Sequence, residues 1–472
     1  MKAISLMMVL CIGLQIQAQT KQIKVACIGA SITYGHGIPD REKNSFPGQL
    51  QTLLGNNYEV SNYGISGTTL LRKGNSPYVK TKQYQQALDS NPDIVFIDLG
   101  ANDSKLINRV HLNEFNADFK ELIQSFSRLS SHPRIVLLIP IVSFYPDTNE
   151  IWNPVIVNKI IPRVKQVAYD NQVELLDFYS LFVDRPDLMP DKIHPNLQGA
   201  SLTAARLYEL LKQPHDTSYN ILEKIDIPQK PGSFHGYESA DFKFKGRDCK
   251  IVKPKWAAKD HPWVWRARFW GHEPQTDIAL LERGYHVVYC DVAELFGNKE
   301  AISLWNDYYA LLTKNGLAKK AVLEGMSRGA VYVFNWAAVN PGKVKAVYVD
   351  NPVLDLKTWP AGLGRVPVSK NEFEQFKKDF NLATDAQVKE FKGSPINKVR
   401  EIVSGKYPIL ILCADADEAV APEENTYLFE QKVKEQKGNI TVIHKPGFKH
   451  HPHSLANPTP IVDFILKANP GS

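Results

Sequence analysis

Five residues in the first half of the chain are of types that nucleophilic chemistry uses: Ser31, Gly64, Asn102, Asp191 and His194. Ser31 follows the apolar run IKVACIG within GASITYGHG, where glycines let the backbone turn tightly and leave a hydroxyl exposed. Gly64 in NYGISG and Asn102 in GAND end the next two strand-like runs and would supply a backbone N–H and a side-chain amide. With the N–H of Ser31 these predict an oxyanion hole, whose donors are worth about 2.7 to 4 kcal/mol each. Asp191 and His194 stand three apart in MPDKIHPNLQG, a spacing that lets His194 act as base while Asp191 orients it.

A second set begins at LEGMSRGA, which places Ser327 in G-x-S-x-G between a strand-like run and a helical one. That is the setting of a nucleophile elbow, with Gly325 and Gly329 relieving a crowded turn and the N–H of Arg328 aimed at an oxyanion. Further on, CADADEAVAP offers Asp415 and Asp417, and KPGFKHHPHSL offers His450, His451 and His453. The HHPH run has metal-ligand types, but no carboxylate or cysteine stands at ligand spacing, so neither a metal nor another cofactor is expected. A second oxyanion donor is expected from a backbone N–H near Trp270 or Gly271 in FWGHEP, with Arg266, Arg268 and Arg328 as nearby cations.

These residues need strands that stop where they stand. From Gln22 to about Gln213, apolar runs at 23–29, 58–64, 93–100, 134–140 and 173–178 alternate with helical patterns such as 114–129 and 197–212. Continuous Val/Ile/Leu runs separated by helices predict a buried parallel sheet. After Lys212 the sequence turns polar and rich in Pro and Gly, which places a linker at 214–241. A second set of strands follows at 249–254, 263–270, 285–292, 320–325, 345–352, 407–415 and 439–446, interrupted by a Lys-rich, cap-like insertion at 354–403. The fold class is therefore α/β, with two doubly wound domains at 19–213 and 242–472. Gly29, Gly35 and Gly37 do not make a dinucleotide fingerprint, because the helix and acidic residue that should follow are missing.

Composition narrows the classes further. A chain of 472 residues with 43% hydrophobic and 22% charged residues is neither disordered, collagen-like nor coiled coil. Its excess of six positive charges is spread without a basic stripe, so no nucleic-acid partner is expected. Residues 1–18 combine Lys2, an apolar run and small Ala18, which predicts a cleaved signal peptide and a periplasmic or secreted protein. No later run is long enough to span a membrane. Cys27, Cys249, Cys290 and Cys413 read as core residues. In the aromatic strip Trp256, Trp263, Trp265, Phe269 and Trp270, strand alternation assigns about half the residues to the core, and the remainder could line a sugar platform.

Through GASIT, Gly64, GAND and DKIHP, in that order, the first half resembles the SGNH or GDSL-type hydrolases, departing at Ala30, where many members carry Asp. The second half resembles the α/β-hydrolase superfamily over roughly 240–468, and by that pattern Asp417 is the triad acid and His450 the base, with Asp415 and His451 as competitors. The resemblances imply a flavodoxin-like SGNH domain followed by an α/β-hydrolase domain, each with a Ser-His-Asp triad. They also imply hydrolysis of esters, commonly O-acetyl groups on carbohydrates, with an acylated glycan or another small ester as partner. GMSRG is similar to glucuronoyl esterases, which implies an acidic sugar; a salt bridge is the other use of Arg328. The alternatives are one catalytic half joined to an inactive glycan-binding half, or a peptidase in the second half.

Overall fold

The computed structural model describes residues 22–468, so residues 1–18, expected from the sequence to be a signal peptide, lie outside the described residues. The first half builds five strands, β1 (Ile23–Gly29), β2 (Tyr58–Gly64), β3 (Ile94–Asp98), β4 (Arg134–Ile139) and β5 (Glu174–Asp177). They pair in parallel in the order β2-β1-β3-β4-β5. Val25 to Ile28 and Val95 to Ile97 are buried on both faces of the sheet, which is why these strands read as unbroken apolar runs. Phe46, Leu50 and Leu207 cover one face, and Phe115, Phe119 and Val164 the other. The strand order reverses between β1 and β3, and Ser31 and Asn102 follow those two strands, where open α/β sheets leave a crevice.

The second half contributes β6 (His215–Asp216), β7 (Lys230–Phe234), β8 (Tyr237–Phe244), β9 (Arg247–Val252), β10 (Ala257–Ala258), β11 (Trp263–Ala267), β12 (His286–Cys290), β13 (Ala321–Met326), β14 (Val344–Asp350), β15 (Ile409–Ala414) and β16 (Ile440–Lys445). Nine of them form one sheet in the order β16-β15-β14-β13-β11-β12-β9-β8-β7. The six from β11 onward run parallel, and β9, β8 and β7 alternate in direction beyond β12. This is a mixed α/β sheet of the kind expected for the second half. The helix Gly329–Val339 after the elbow packs centrally and is almost wholly apolar.

The aromatic strip divides as strand alternation requires. Trp263 and Trp265 point to one face of β11 and are fully buried, Trp265 stacking on Trp305 at 4.3 Å. Trp256 lies under the Arg134 guanidinium at 4.0 Å, Trp270 packs on Phe234 and Tyr289, and Phe269 is exposed, so the strip forms no single platform. Cys27, Cys249, Cys290 and Cys413 are buried free thiols. Phe376, Val388 and Ile402 from the 354–403 insertion are buried in the main core, so this segment is rooted in the domain as well as capping it.

The stretch 214–241 is not a linker. β6 pairs with β10, β7 lies wholly within the stretch, and β8 crosses its end, so the second sheet starts at Lys230. Pro231 is accommodated because β7 is an edge strand with no neighbour beyond it. The halves also share a desolvated ionic contact. Glu282 accepts from the Arg206 guanidinium at 3.0 Å and from the N–H of Asp177, and Arg283 grips Glu209 at 2.7 and 3.1 Å. Asp184 and Asn457 meet at 3.3 Å beyond strand carboxyl ends, whereas Arg134 meets Trp256 at strand amino ends. The two halves thus touch at several points along β5 and the segments that follow it.

Glu282→Ala should leave Arg206 with Glu209 as its remaining carboxylate and the Asp177 N–H without its acceptor, at a cost of about 1–3 kcal/mol in urea unfolding. The halves of the wild type should unfold in one transition. A biphasic curve whose upper step is unmoved by the substitution would show that this contact does not join them.

Candidate active sites

Ser31 opens the short helix Ser31–Tyr34 directly after β1, and its Oγ lies 2.8 Å from Nε2 of His194. Nδ1 of the same ring lies 2.6 Å from Asp191 Oδ2. With a proton on Nδ1 donated to the carboxylate, Nε2 is left to accept the serine hydroxyl. Asp191 Oδ1 also accepts the N–H groups of Ile193 and His194 at 3.0 and 2.7 Å. Partial burial raises the Asp191 carboxyl, but these N–H donors and the His194 ring outweigh it and hold the acid below its ordinary range.

The loop with Ala30 in place of Asp is held from β2 and β3. Ala30 N–H donates to Asp98 O at 3.3 Å, Thr33 Oγ1 donates to Asp98 Oδ2 at 2.9 Å, and Asn62 Nδ2 donates to Thr33 O at 2.8 Å. Gly64 has a different role from the one its position at a strand end suggests. Its N–H already donates to Asn62 Oδ1 at 2.9 Å, and a Cβ there would come 2.3 Å from Tyr34 N. Gly64 is therefore glycine because the Ser31 helix packs on it. The turn offers the N–H of Gly67 instead, which has no partner among the described residues and sits at φ +82°. The sequence signal for it was the S-G-T turn, where only glycine is comfortable at positive φ.

Asn102 lies beside this turn and donates through Nδ2 to Thr68 O at 3.0 Å, leaving its second amide hydrogen for a ligand. Asp103, next in GAND, pins the same loop by accepting the N–H groups of Leu70 and Leu71 at 3.0 and 2.8 Å. Neither Asp103 nor Gly67 was singled out in the sequence.

In the second half Ser327 stands at φ +50° between β13 and its helix, with its N–H on Asp350 O at 2.8 Å. The elbow glycines are forced by close approach: a Cβ on Gly329 would meet Ala267 O at 2.6 Å, and one on Gly325 would meet Gly329 C at 2.8 Å. His450 Nε2 lies 3.0 Å from Ser327 Oγ, and its Nδ1 lies 2.7 Å from Asp417 Oδ2. Asp417 Oδ1 takes the N–H groups of Ala419 and Val420 at 2.8 and 2.9 Å. The competitors are placed elsewhere. Asp415 binds His444 and the Tyr427 hydroxyl, His451 packs edge-on against His450, and His453 binds Asp350. The HHPH rings are close enough to share an ion, but Nδ1 of both His450 and His453 is engaged by a carboxylate.

The N–H of Arg328 has no partner among the described residues. Arg268 and Phe269, first beyond β11 and ahead of Trp270 and Gly271, both lie at positive φ. Arg266 is not a cation facing this site. It is buried beneath, paired with Asp277 and with Glu324 at 3.1 Å, and it holds Phe269 O at 3.2 Å and His272 O. Burial and the neighbouring Asp277 push the Glu324 carboxyl well above its usual range. Arg268 and Arg328 both donate to Ala293 O, and Arg328 is ion-paired with Glu372 of the insertion. The guanidinium of Arg328 is thus neutralised in a salt bridge, and burial brings it down to about 10.

Residues 27–202 match the GDSL-like Lipase/Acylhydrolase family. The N-terminal half is a GDSL-like acylhydrolase domain. The chain is 36% identical over 208 residues to an acetylxylan esterase of Xylanibacter ruminicola, covering 40% of this chain and 43% of that protein. It is 25% identical over 225 residues to the uncharacterized protein YpmR of Bacillus subtilis, covering 42% of this chain and 85% of that protein. The matched segment thus spans less than half of the acetylxylan esterase. Among solved structures, the chain is similar to a putative dipeptidyl aminopeptidase IV from Bacteroides ovatus (14% identity, TM-score 0.39, 51% of this chain and 36% of that one). It is also similar to Est1E from Butyrivibrio proteoclasticus (17% identity, TM-score 0.35, 49% of this chain and 98% of that one).

Burial pushes the Asp103 carboxyl up to about 6 despite its two backbone N–H donors. A raised folded value means that its contribution to stability is full below about pH 4 and is lost as the pH rises through 6. Asp103→Asn removes this dependence while leaving one N–H badly matched. The advantage of the wild type over the variant in unfolding free energy should shrink by about 2–3 kcal/mol between pH 4 and pH 7. An advantage that grows with pH would refute the sign.

Proposed function

We propose that the chain is a carboxylic ester hydrolase with two serine sites, one in each half, acting on acylated carbohydrates. The observation that carries the reading is the pair of Ser-His-Asp hydrogen-bond chains, 2.8 and 2.6 Å in the first site and 3.0 and 2.7 Å in the second. In each, the serine Oγ attacks the ester carbonyl as histidine Nε2 takes its proton, and the same histidine returns it to the departing alcohol. Water then hydrolyses the acyl-enzyme by the reverse proton path. The negative oxygen is received at the first site by the N–H groups of Ser31 and Gly67 and the Asn102 amide, and at the second by Arg328 N–H and the loop after β11. Neither sequence needs a metal or an organic cofactor.

O-acetyl groups on a carbohydrate polymer are the substrate class proposed for the Ser31 site, supported by the GDSL-like domain and by the acetylxylan esterase relative. Export to the periplasm or cell exterior is part of the proposal and rests on the pattern of residues 1–18.

Mass spectrometry after fluorophosphonate treatment should find adducts on both Ser31 and Ser327. Each of Ser31→Ala and Ser327→Ala should remove a different part of the ester profile, by roughly 10⁴-fold or more for the esters affected, with acetyl esters assigned to Ser31. Failure to label either serine would overturn the reading. Asn102→Ala should lower kcat on an aryl acetate by about 10²- to 10³-fold and change KM little. An unchanged kcat would remove Asn102 from the oxyanion hole.

A further inference from the structure

Two consecutive residues at the end of β14 touch both reacting groups of the second site from behind. The main-chain oxygen of Asp350 accepts the N–H of Ser327 at 2.8 Å. Its carboxylate is fully buried and accepts from His453 Nδ1 at 2.9 Å, the N–H of Ser454 at 2.7 Å and the Lys445 ammonium at 3.2 Å. The Tyr348 hydroxyl reaches it at 3.4 Å. Lys445 in turn donates to Pro452 O at 3.1 Å. Asn351 donates through Nδ2 to the main-chain oxygen of His450 at 2.8 Å and accepts Ala414 N–H at 2.7 Å, in the strand that leads to Asp417.

The loop that carries the base is therefore tied to the strand ends at positions 450, 452, 453 and 454. Four donors converge on one side chain, and only an ionised carboxylate has enough acceptor sites for them; an amide would turn an N–H toward a donor. A buried carboxylate and ammonium also cost desolvation that a neutral pair would not, so the arrangement calls for a role beyond cohesion.

We propose that Asp350, neutralised by Lys445, is a positioning residue for the second site, holding Ser327 by its main chain and the His450 loop by its carboxylate. The inference rests on the reading of Ser327, His450 and Asp417 as a triad. Asp350 touches neither substrate nor the reacting atoms. Its effect on the base is both geometric and electrostatic, because the groups that face His450 are few. They are Asp417 and Ser327, the rings of His451, His453 and His272, Glu273 beyond β11, Asp350 and Lys445, and the exposed pair Lys449 and Glu418.

The test uses the full chain carrying Ser31→Ala, so that Ser327 alone reports, and follows the rate of fluorophosphonate labelling of Ser327 against pH. Adding Asp350→Asn should slow labelling on the pH plateau by about ten- to a hundredfold. It should also move the acid limb of the profile to lower pH by about one unit, because Lys445 is left as an uncompensated cation. Adding Lys445→Met should move the limb the other way. Opposite displacements are not produced by a loss of folded protein, which lowers the amplitude at every pH alike. The double variant Asp350→Asn with Lys445→Met strands no charge; its limb should return between the two, with the plateau still reduced.

A wild-type plateau in the double variant, or limbs unmoved in both single variants, would overturn the positioning role. Absence of labelling in the parent Ser31→Ala protein would instead overturn the triad reading beneath it. The two failures are thus told apart.

Discussion

A parallel sheet covered on both faces can leave polar groups free for chemistry only where its strands stop, because interior side chains are apolar or, like Arg266 and Glu324, paired with one another, and the interior N–H and C=O groups are taken by the ladder. Both halves obey this constraint, and it decides what the rest of the chain must do. Loops leaving the carboxyl ends have no ladder to fix them, so side chains that accept or donate to backbone groups take over. Asp103 and Asn102 hold the loop after β2, Asn62 and Asp98 hold the turn of Ser31, and Asp350 and Asn351 hold the elbow and the His450 loop. These side chains are polar and buried or half-buried, and apart from Asn102 they act on the loops rather than on the reacting atoms.

What was legible in the sequence follows from the same division. Unbroken apolar runs made the parallel strands plain, and residue types at their ends marked Ser31, Asn102, Ser327 and the two histidine loops. Runs lacking such contrast were misread. β7 and β8 lie on a half-exposed edge, where Lys230, Pro231, Gly232, Asp241 and Lys243 dilute the pattern, and the stretch looked like a linker. Gly64 shows a different limit: a glycine ending a strand is visible, but that its N–H is captured by Asn62 and its missing Cβ makes room for Tyr34 is a fact of three dimensions. The choice of Asp417 over Asp415, two residues apart, likewise depends on which carboxylate the fold turns inward; Asp417 is buried and Asp415 is taken by an exposed His444.

Charge in the second half is handled by burial in pairs. Arg266 within WVWRA looked like a cation available to a ligand, but it lies below the sheet edge, where Asp277 and Glu324 surround it and its remaining hydrogens steady the loop of Arg268 and Phe269. Arg328 is neutralised from the insertion by Glu372. The 354–403 segment therefore does more than shade the pocket. It supplies a counter-charge to the residue next to Ser327 in the chain, so a shift of that segment changes the electrostatics beside the elbow.

The ionic contact between Glu282, Arg206, Arg283 and Glu209 bears on how such a chain can change over time. Deleting either half would return the survivor's members of this contact to water and bare the surface that their partners had covered. The join ties the fate of the two halves together: they are inherited, expressed and turned over as a single piece.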